Sequence, residues 1–392
     1  MNEILASTGH VTAGPADRHL GSGPRSGGLS VDHSVRQRTV HVIVPEGIDD
    51  PREPSGGNAY DRRACSGLAA AGWTVDERAV AGTWPLPDRS CRESLRRTLA
   101  GLPDDCVVLI DGLVACGVPD VMVSHAGRLR LVVLLHLPLG DELGRPPALA
   151  AALVARERST LRAVAAVVAT SRWAAGRVVS LHGLAPERVH VATPGVEPAP
   201  VAAGTDGMSR LLCVGSITAT KGQELLVDAL ATLTDRSWTC DLVGPLHRDP
   251  GHSAGVRAAI ERHGLGERVR LTGPLPPERL ATVYDAADLL VLPSRAETYG
   301  MVVTEALARG IPVLAADTGG VADTLGRAPR GGVPGMLVPP DDVAALAAAL
   351  RRWFDEPWLR DDLRRSAGRR PTLTGWEVTI RCLTQVLDRL NH

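Results

Sequence analysis

From residue 40 onward, short apolar runs recur, and each is followed by a stretch with helical spacing. VHVIVP (40–45), WTVDERAV, CVVLID, RLVVLLH and AVVAT lead to a weaker run, RVHVAT (188–193). Apolar runs bounded by turn residues and alternating with helices predict parallel strands joined by crossover helices. A segment rich in Pro, Ala and Gly interrupts the rhythm around 196–208 and reads as a linker. The rhythm then restarts with RLLCVG, WTCDLVG, RVRLTG, DLLVLP, IPVLAA and GMLVPP. The pattern predicts two doubly wound, Rossmann-like α/β domains, 39–195 and 209–374, facing each other across a cleft. A last helix, over 375–392, is expected to pack back toward the first of them.

Composition narrows the function classes. The 392 residues are 44% hydrophobic and 22% charged, enough for two cored domains. A net charge of -1 gives no electrostatic footprint for nucleic acid. The seven cysteines (Cys65, Cys91, Cys106, Cys116, Cys213, Cys240, Cys382) are widely spaced with no C-x-x-C pair, and read as reduced core thiols. Residues 1–38 are rich in Gly, Ser, Arg and His and read as a disordered tail; its GSGPRSG (21–27) follows no strand and opens no helix, so it is no dinucleotide fingerprint. That tail lacks the apolar core of a secretion signal, and no apolar run is long enough to span a bilayer, so a cytoplasmic location is expected.

The richest stretch is SRAETYGMVVTEALARGIPVLAADTGG, starting at Ser294, which places Glu297 and Glu305 eight positions apart around a helix start. The first N–H groups of a helix have no internal partner and carry the positive end of its dipole, so Gly300, Met301 and Val302 can present donors to a phosphate. Glu305 then falls inside the helix, where it would reach ribose hydroxyls, and Glu297 meets a sugar beyond the diphosphate. Thr318-Gly319-Gly320 adds a glycine turn at the end of the next strand.

Other candidates lie at strand ends too. Lys221-Gly222 stands where the strand RLLCVG passes into a helix, so an ammonium can join backbone donors around a diphosphate; Lys221 is also the only lysine in the chain. PSGGNAY (54–60) offers Gly56 and Gly57 for close backbone approach to a ligand, or a plain turn. His136 ends the run RLVVLLH and can project into the cleft.

Together, VGSITATKG, the run from LTGPLPPERL through TGGVADTL, and GMLVPPDDVAALAAAL resemble the C-terminal domain of retaining GT-B glycosyltransferases of family 4, in order and spacing. SGGNAY, DGLVACGVPD and HLPLGDE are similar to a bacterial subgroup of that family, so the resemblance spans about 40 to 390. It implies that Lys221 binds a donor diphosphate, that Glu297 contacts the transferred sugar, and that backbone at Gly300 to Val302 holds phosphate. It further implies that Glu305 binds the ribose, that His136 reaches the donor sugar near the reacting centre, and that Gly56 and Gly57 lie near phosphates and acceptor. Ser216 departs from the pattern, standing where many relatives carry an Arg, and Leu137 stands where the subgroup often has a second His.

The implied activity is transfer of a sugar from a nucleotide-diphosphate sugar, UDP-linked by expectation, with retention of configuration. No metal or other cofactor is expected, since helix donors and Lys221 carry the leaving-group charge and the chain has no D-x-D pattern. The loop EGIDDPRE (46–53) sets Glu46, Asp49, Asp50 and Glu53 against Arg52 alone, so it is expected to repel anionic lipid and draw a cationic acceptor onto Asp49 and Asp50. A small amino-bearing acceptor, such as an aminocyclitol or aminoglycoside antibiotic intermediate, fits that charge. Transfer to cell-envelope or exopolysaccharide chains, epimerisation of the donor, and noncatalytic nucleotide-sugar binding are the alternatives. A pyridoxal-phosphate phosphorylase is disfavoured by the single lysine.

Overall fold

The computed structural model describes residues 38–328, 331–369 and 373–391. The tail expected over 1–38 lies, but for Arg38, outside the described residues.

Two six-stranded sheets, each wholly parallel, form the framework. The first contains β1 (Thr39–Pro45), β2 (Thr74–Val80), β3 (Val107–Asp111), β4 (Arg130–Leu135), β5 (Ala166–Ala169) and β6 (Val189–Val191), in the order β2-β1-β3-β4-β5-β6. The second contains β7 (Arg210–Val214), β8 (Thr239–Val243), β9 (Val269–Gly273), β10 (Leu289–Leu292), β11 (Val313–Ala316) and β12 (Gly335–Val338), in the order β12-β11-β10-β7-β8-β9. Helices cover both faces, which is why β3, β10 and β11 are buried at every position and, but for Asp111 at the end of β3, apolar.

The strand orders locate the ligand crevices. In each sheet the chain starts in the interior, winds to one edge and then returns to wind to the other, so crossovers leave in opposite directions from β1/β3 and from β7/β10. The loops beyond the carboxyl ends of those neighbouring strands part and open a crevice. Asp111 ends β3, Gly56 and His136 lie beyond the ends of β1 and β4, and Lys221 and Glu297 beyond those of β7 and β10.

The last helix, Trp376–Leu390, completes the first half. Ile380, Leu383, Val386 and Leu387 join Val40, Val42, Tyr60 and Leu68 in one apolar cluster. The chain crosses between halves at 194–196 and again at 374–376, and the two crossings touch. Val196 N–H donates to Thr374 O at 3.0 Å, and a Cβ at Gly195 would lie 2.3 Å from the Trp376 nitrogen.

Leu383 is fully buried between this helix and the first sheet. Leu383→Ala should destabilise the protein by about 2–5 kcal/mol, read as a lowered urea midpoint. A change below about 0.5 kcal/mol would mean that the helix does not stabilise the first half.

Candidate active site

The loop after β7 is shaped by backbone contacts with the segment that follows β10. Gly222 has φ 64°, and a Cβ there would lie 2.6 Å from Pro293 O, so the approach needs glycine. Arg295 N–H donates to Thr220 O at 2.8 Å, and Arg295 Nη1 donates to Ala219 O at 2.7 Å. That stitching brings Lys221 Nζ to 2.5 Å from Glu297 Oε1, which also accepts from Ser294 Oγ at 3.0 Å. Glu297 is 8% exposed, so its charge needs these two donors. Arg295 is the other cation meeting this loop, and its guanidinium is engaged by Glu224 and Asp341.

The glycine turn after β11 supports the same carboxylate from behind. Gly319 has φ 59° and a Cβ there would sit 1.7 Å from Glu297 O; at Gly320 a Cβ would sit 2.2 Å from Thr298 O. Gly320 N–H donates to Glu297 O at 3.0 Å. No side chain fits between these two backbones.

Gly300, at φ 83°, turns the chain into the helix Met301–Ala308. The first bond of that turn, Val303 N–H to Gly300 O, leaves the Met301 and Val302 N–H groups without an intrahelical acceptor. Glu305 lies one turn further along, where its Oε2 accepts from the Tyr284 hydroxyl at 2.7 Å. Burial raises the Glu305 carboxyl above the usual carboxylate range, while the Tyr284 bond and the Arg309 charge oppose that rise. Neither hydrogen bond nor ion pair joins Glu305 to Lys221 or Glu297.

Across the cleft, Ser55 Oγ caps the helix Gly56–Ala70 by accepting from Asn58 N–H. A Cβ on Gly56 would lie 3.4 Å from Met301 Sδ, and one on Gly57 would lie 3.1 Å from the His136 ring. Gly57 thus lets this helix end close up on His136, while the contact at Gly56 is of ordinary van der Waals length. Thr298, next to Glu297, ties the halves together: its Oγ1 donates to His136 O at 2.6 Å and its carbonyl accepts from Ser171 Oγ at 2.5 Å. Behind His136, Leu139 N–H donates to Glu157, which is fully buried against His182.

His136 has two carboxylates beneath it. Its Nε2 is 2.7 Å from Asp61 Oδ1 and 3.6 Å from Asp111 Oδ2, and both aspartates are at most 5% exposed. Burial pulls the imidazole pKa down, but the Asp61 charge and hydrogen bond, with Asp111, leave it raised. Asp111 is itself raised, by burial and by Asp61. Among the described residues this trio brings three ligand-type atoms within 4.8 Å of one another. The Nε2 to Asp61 distance is that of a charge-assisted hydrogen bond, so the trio is satisfied as it stands. Sequence reading missed both aspartates. Asp61 was visible as the residue four beyond Gly57 on one helix face, and Asp111 as the last residue of a buried strand.

The acidic loop differs from expectation. Asp49 is held by Arg62 at 2.6 and 2.9 Å, and Asp50 by Arg52, whose guanidinium lowers the Asp50 carboxyl to about 2. Glu53 pairs with Arg248, at 2.9 Å, and with His247, both from the other half. Counting Arg52 alone overlooked Arg62, Arg248 and His247. The unpaired anionic surface expected at 46–53 is therefore absent at Asp49, Asp50 and Glu53, and no hydrogen bond or ion pair connects Asp49 or Asp50 with His136, Lys221 or Glu297.

Two doubly wound domains with polar groups facing each other at the crevices define the GT-B fold. The family model described as glycosyl transferases group 1 matches residues 204–370. A protein of Catenulispora acidiphila named D-inositol 3-phosphate glycosyltransferase 1 is 35% identical over 285 residues, covering 67% of this chain and 65% of that protein. A D-inositol 3-phosphate glycosyltransferase of Thermobispora bispora is 33% identical over 298 residues, covering 70% of this chain and 67% of its own length. The chain belongs to the glycosyl transferases group 1 family. It spans about half to two thirds of the length of the curated relatives it matches. Sucrose-phosphate synthase from Thermosynechococcus elongatus shares the fold with a TM-score of 0.70 at 23% identity, over 90% of this chain and 99% of that one. Anabaena HepE, in complex with UDP-glucose, does so with a TM-score of 0.69 at 18% identity, over 90% and 99%. Among the described residues no helix is long and apolar enough to cross a membrane.

Gly319→Ala should push the Glu297 backbone aside, at a cost of about 1–3 kcal/mol for a strained φ in contact with a fixed carbonyl. Urea unfolding reads the stability, and calorimetry with a panel of nucleotide sugars reads an accompanying loss of affinity. Wild-type affinity in a stable variant would show that this turn does not hold the site.

Proposed function

We propose that the chain is a cytoplasmic, retaining hexosyltransferase that moves a sugar from a nucleotide-diphosphate sugar, UDP-linked, to a small polyhydroxylated acceptor. The observation carrying this reading is the Lys221–Glu297 contact at the β7/β10 crevice, in the loop that leads into the helix end at Gly300.

Donor binding exchanges the Lys221 contact with Glu297 for diphosphate oxygens, which the Met301 and Val302 N–H groups also approach. Glu297, released, accepts from sugar hydroxyls. Tyr284 holds one Glu305 oxygen and leaves the other for a ribose hydroxyl. His136 meets the sugar from the opposite wall. In the transfer step the bond from the anomeric carbon to the phosphate oxygen breaks as the acceptor oxygen adds on the same face. The acceptor proton passes to the departing diphosphate, so no carboxylate need act as base. Lys221 and the helix donors are in place before the charge develops, which is how a preorganised site lowers a barrier.

The names of the relatives favour a cyclitol-like acceptor. An aminocyclitol of antibiotic assembly is a narrower form of the same reading, in which an amine would compete with Arg62 for Asp49 and with Arg52 for Asp50.

A mass-spectrometric screen of nucleotide sugars against inositol, inositol phosphates and aminocyclitols tests the reading; a product one hexosyl unit heavier than its acceptor is expected. Lys221→Ala and Glu297→Ala should each lower kcat/KM about 10²-fold or more with the circular dichroism spectrum unchanged. Conversion of the donor to an isomer of equal mass without acceptor would replace transfer by epimerisation, and undiminished turnover in Glu297→Ala would remove the assigned site.

A further inference from the structure

The reaction outlined above gives no part to Asp61 or Asp111, yet these buried aspartates lie directly beneath His136. We infer that Asp61 is a positioning residue for His136: it accepts the Nε2 hydrogen and so leaves Nδ1 as the atom that meets the sugar in the cleft. This inference rests on the reading that His136 contacts the transferred sugar.

Three elements fix the arrangement. Asp61 stands one helical turn past Gly57, the residue that presses its backbone on the His136 ring. An ionised carboxylate can only accept, so at 2.7 Å the shared hydrogen belongs to Nε2. Asp111 cannot rotate to compete, because its Oδ1 accepts from Leu113 N–H at 2.8 Å and Val114 N–H at 3.2 Å. Its other oxygen, 3.6 Å from Nε2, adds charge without a direct bond. Tyr60 sets its ring against the imidazole, with centroids 5.3 Å apart, and spends its hydroxyl on Ala192 O. The second half meets this site through the Thr298 hydroxyl, on the His136 carbonyl, and through Met301, neither of which carries charge. The acidic groups facing the ring are thus Asp61 and Asp111, and the negative charge of either favours the imidazolium; burial and Asp61 push Asp111 up to about 7, so it adds its charge only above that range. In the imidazolium form Nδ1 is a donor, suited to a sugar hydroxyl oxygen. Losing the Asp61 charge lets Nδ1 lose its proton at a lower pH and lets the ring rotate.

A merely structural aspartate and a positioning one differ in what Asp61→Asn changes. An amide keeps an oxygen near Nε2 but removes the charge, so the basic limb of the kcat profile should move down by about one to three pH units. At pH 8, kcat should fall about ten- to hundredfold, the range for removing a group that orients a reacting ligand. The KM for acceptor should stay within about twofold. Asp61→Glu should recover part of the loss. In a His136→Gln background, Asp61→Asn should cost no further activity, since both act through one ring. Histidine NMR titration of the full chain should show His136 titrating above the ordinary imidazole range, and lower in Asp61→Asn.

Equal loss at every pH, or a full additional loss in the His136→Gln background, would overturn the inference. So would wild-type activity that EDTA abolishes and a divalent cation restores, which would make the trio a metal site. Absence of transfer by the wild-type chain with any donor and acceptor would instead overturn the functional reading. The NMR titration still decides the Asp61–His136 pairing in that event, and an unshifted His136 overturns it.

Discussion

The contact between Lys221 and Glu297 joins two loops that are 76 residues apart in sequence, and its geometry is set by main chain rather than by the ion pair itself. An isolated buried pair seldom stabilises a protein, because desolvating two charges offsets most of their attraction. Here the loops are brought together first, by Arg295 N–H on Thr220 O and by a glycine turn resting on the Glu297 carbonyl. The side chains then meet at a crevice which the parallel sheet opens at β7/β10. In the function proposed above, a phosphate entering there would find a cation and helix donors already in place, and a carboxylate held within reach of the sugar.

The same economy governs the opposite wall. Gly57 removes a side chain so that a helix end can touch His136, and Thr298, next to Glu297, donates to the His136 carbonyl. His136 and Glu297, on the two halves, are therefore positioned relative to one another through short backbone paths. A shift in either loop is transmitted to both walls, and the Glu53 pairing with Arg248 and His247 adds a further bridge across the cleft.

Much of this was legible along the chain. Twelve runs correspond to the twelve strands, and the plainest of them, β3, β10 and β11, are buried at every position and so have little choice of residue. Lys221-Gly222, Gly300 and His136 were legible as residues just beyond strand ends, where parallel sheets place their ligands. The acidic loop shows the limit. Its four acids against one arginine were counted correctly, yet Arg62, His247 and Arg248 come from elsewhere in the fold to pair with Asp49 and Glu53. Asp61 and Asp111 escaped for a related reason: a lone aspartate in a helix and another ending a strand carry no periodic signal. They acquire meaning through a histidine 75 residues from the first of them.

Local order in the chain thus settled the strands, the helix starts and the glycines that mark close approach, since these follow from steric and hydrogen-bonding rules acting over a few residues. Which charges neutralise which, and that His136 lies above two carboxylates while Lys221 meets Glu297, depended on how distant segments pack. Coulomb and hydrogen-bond energies fall off within a few ångströms in space and take no account of separation along the chain.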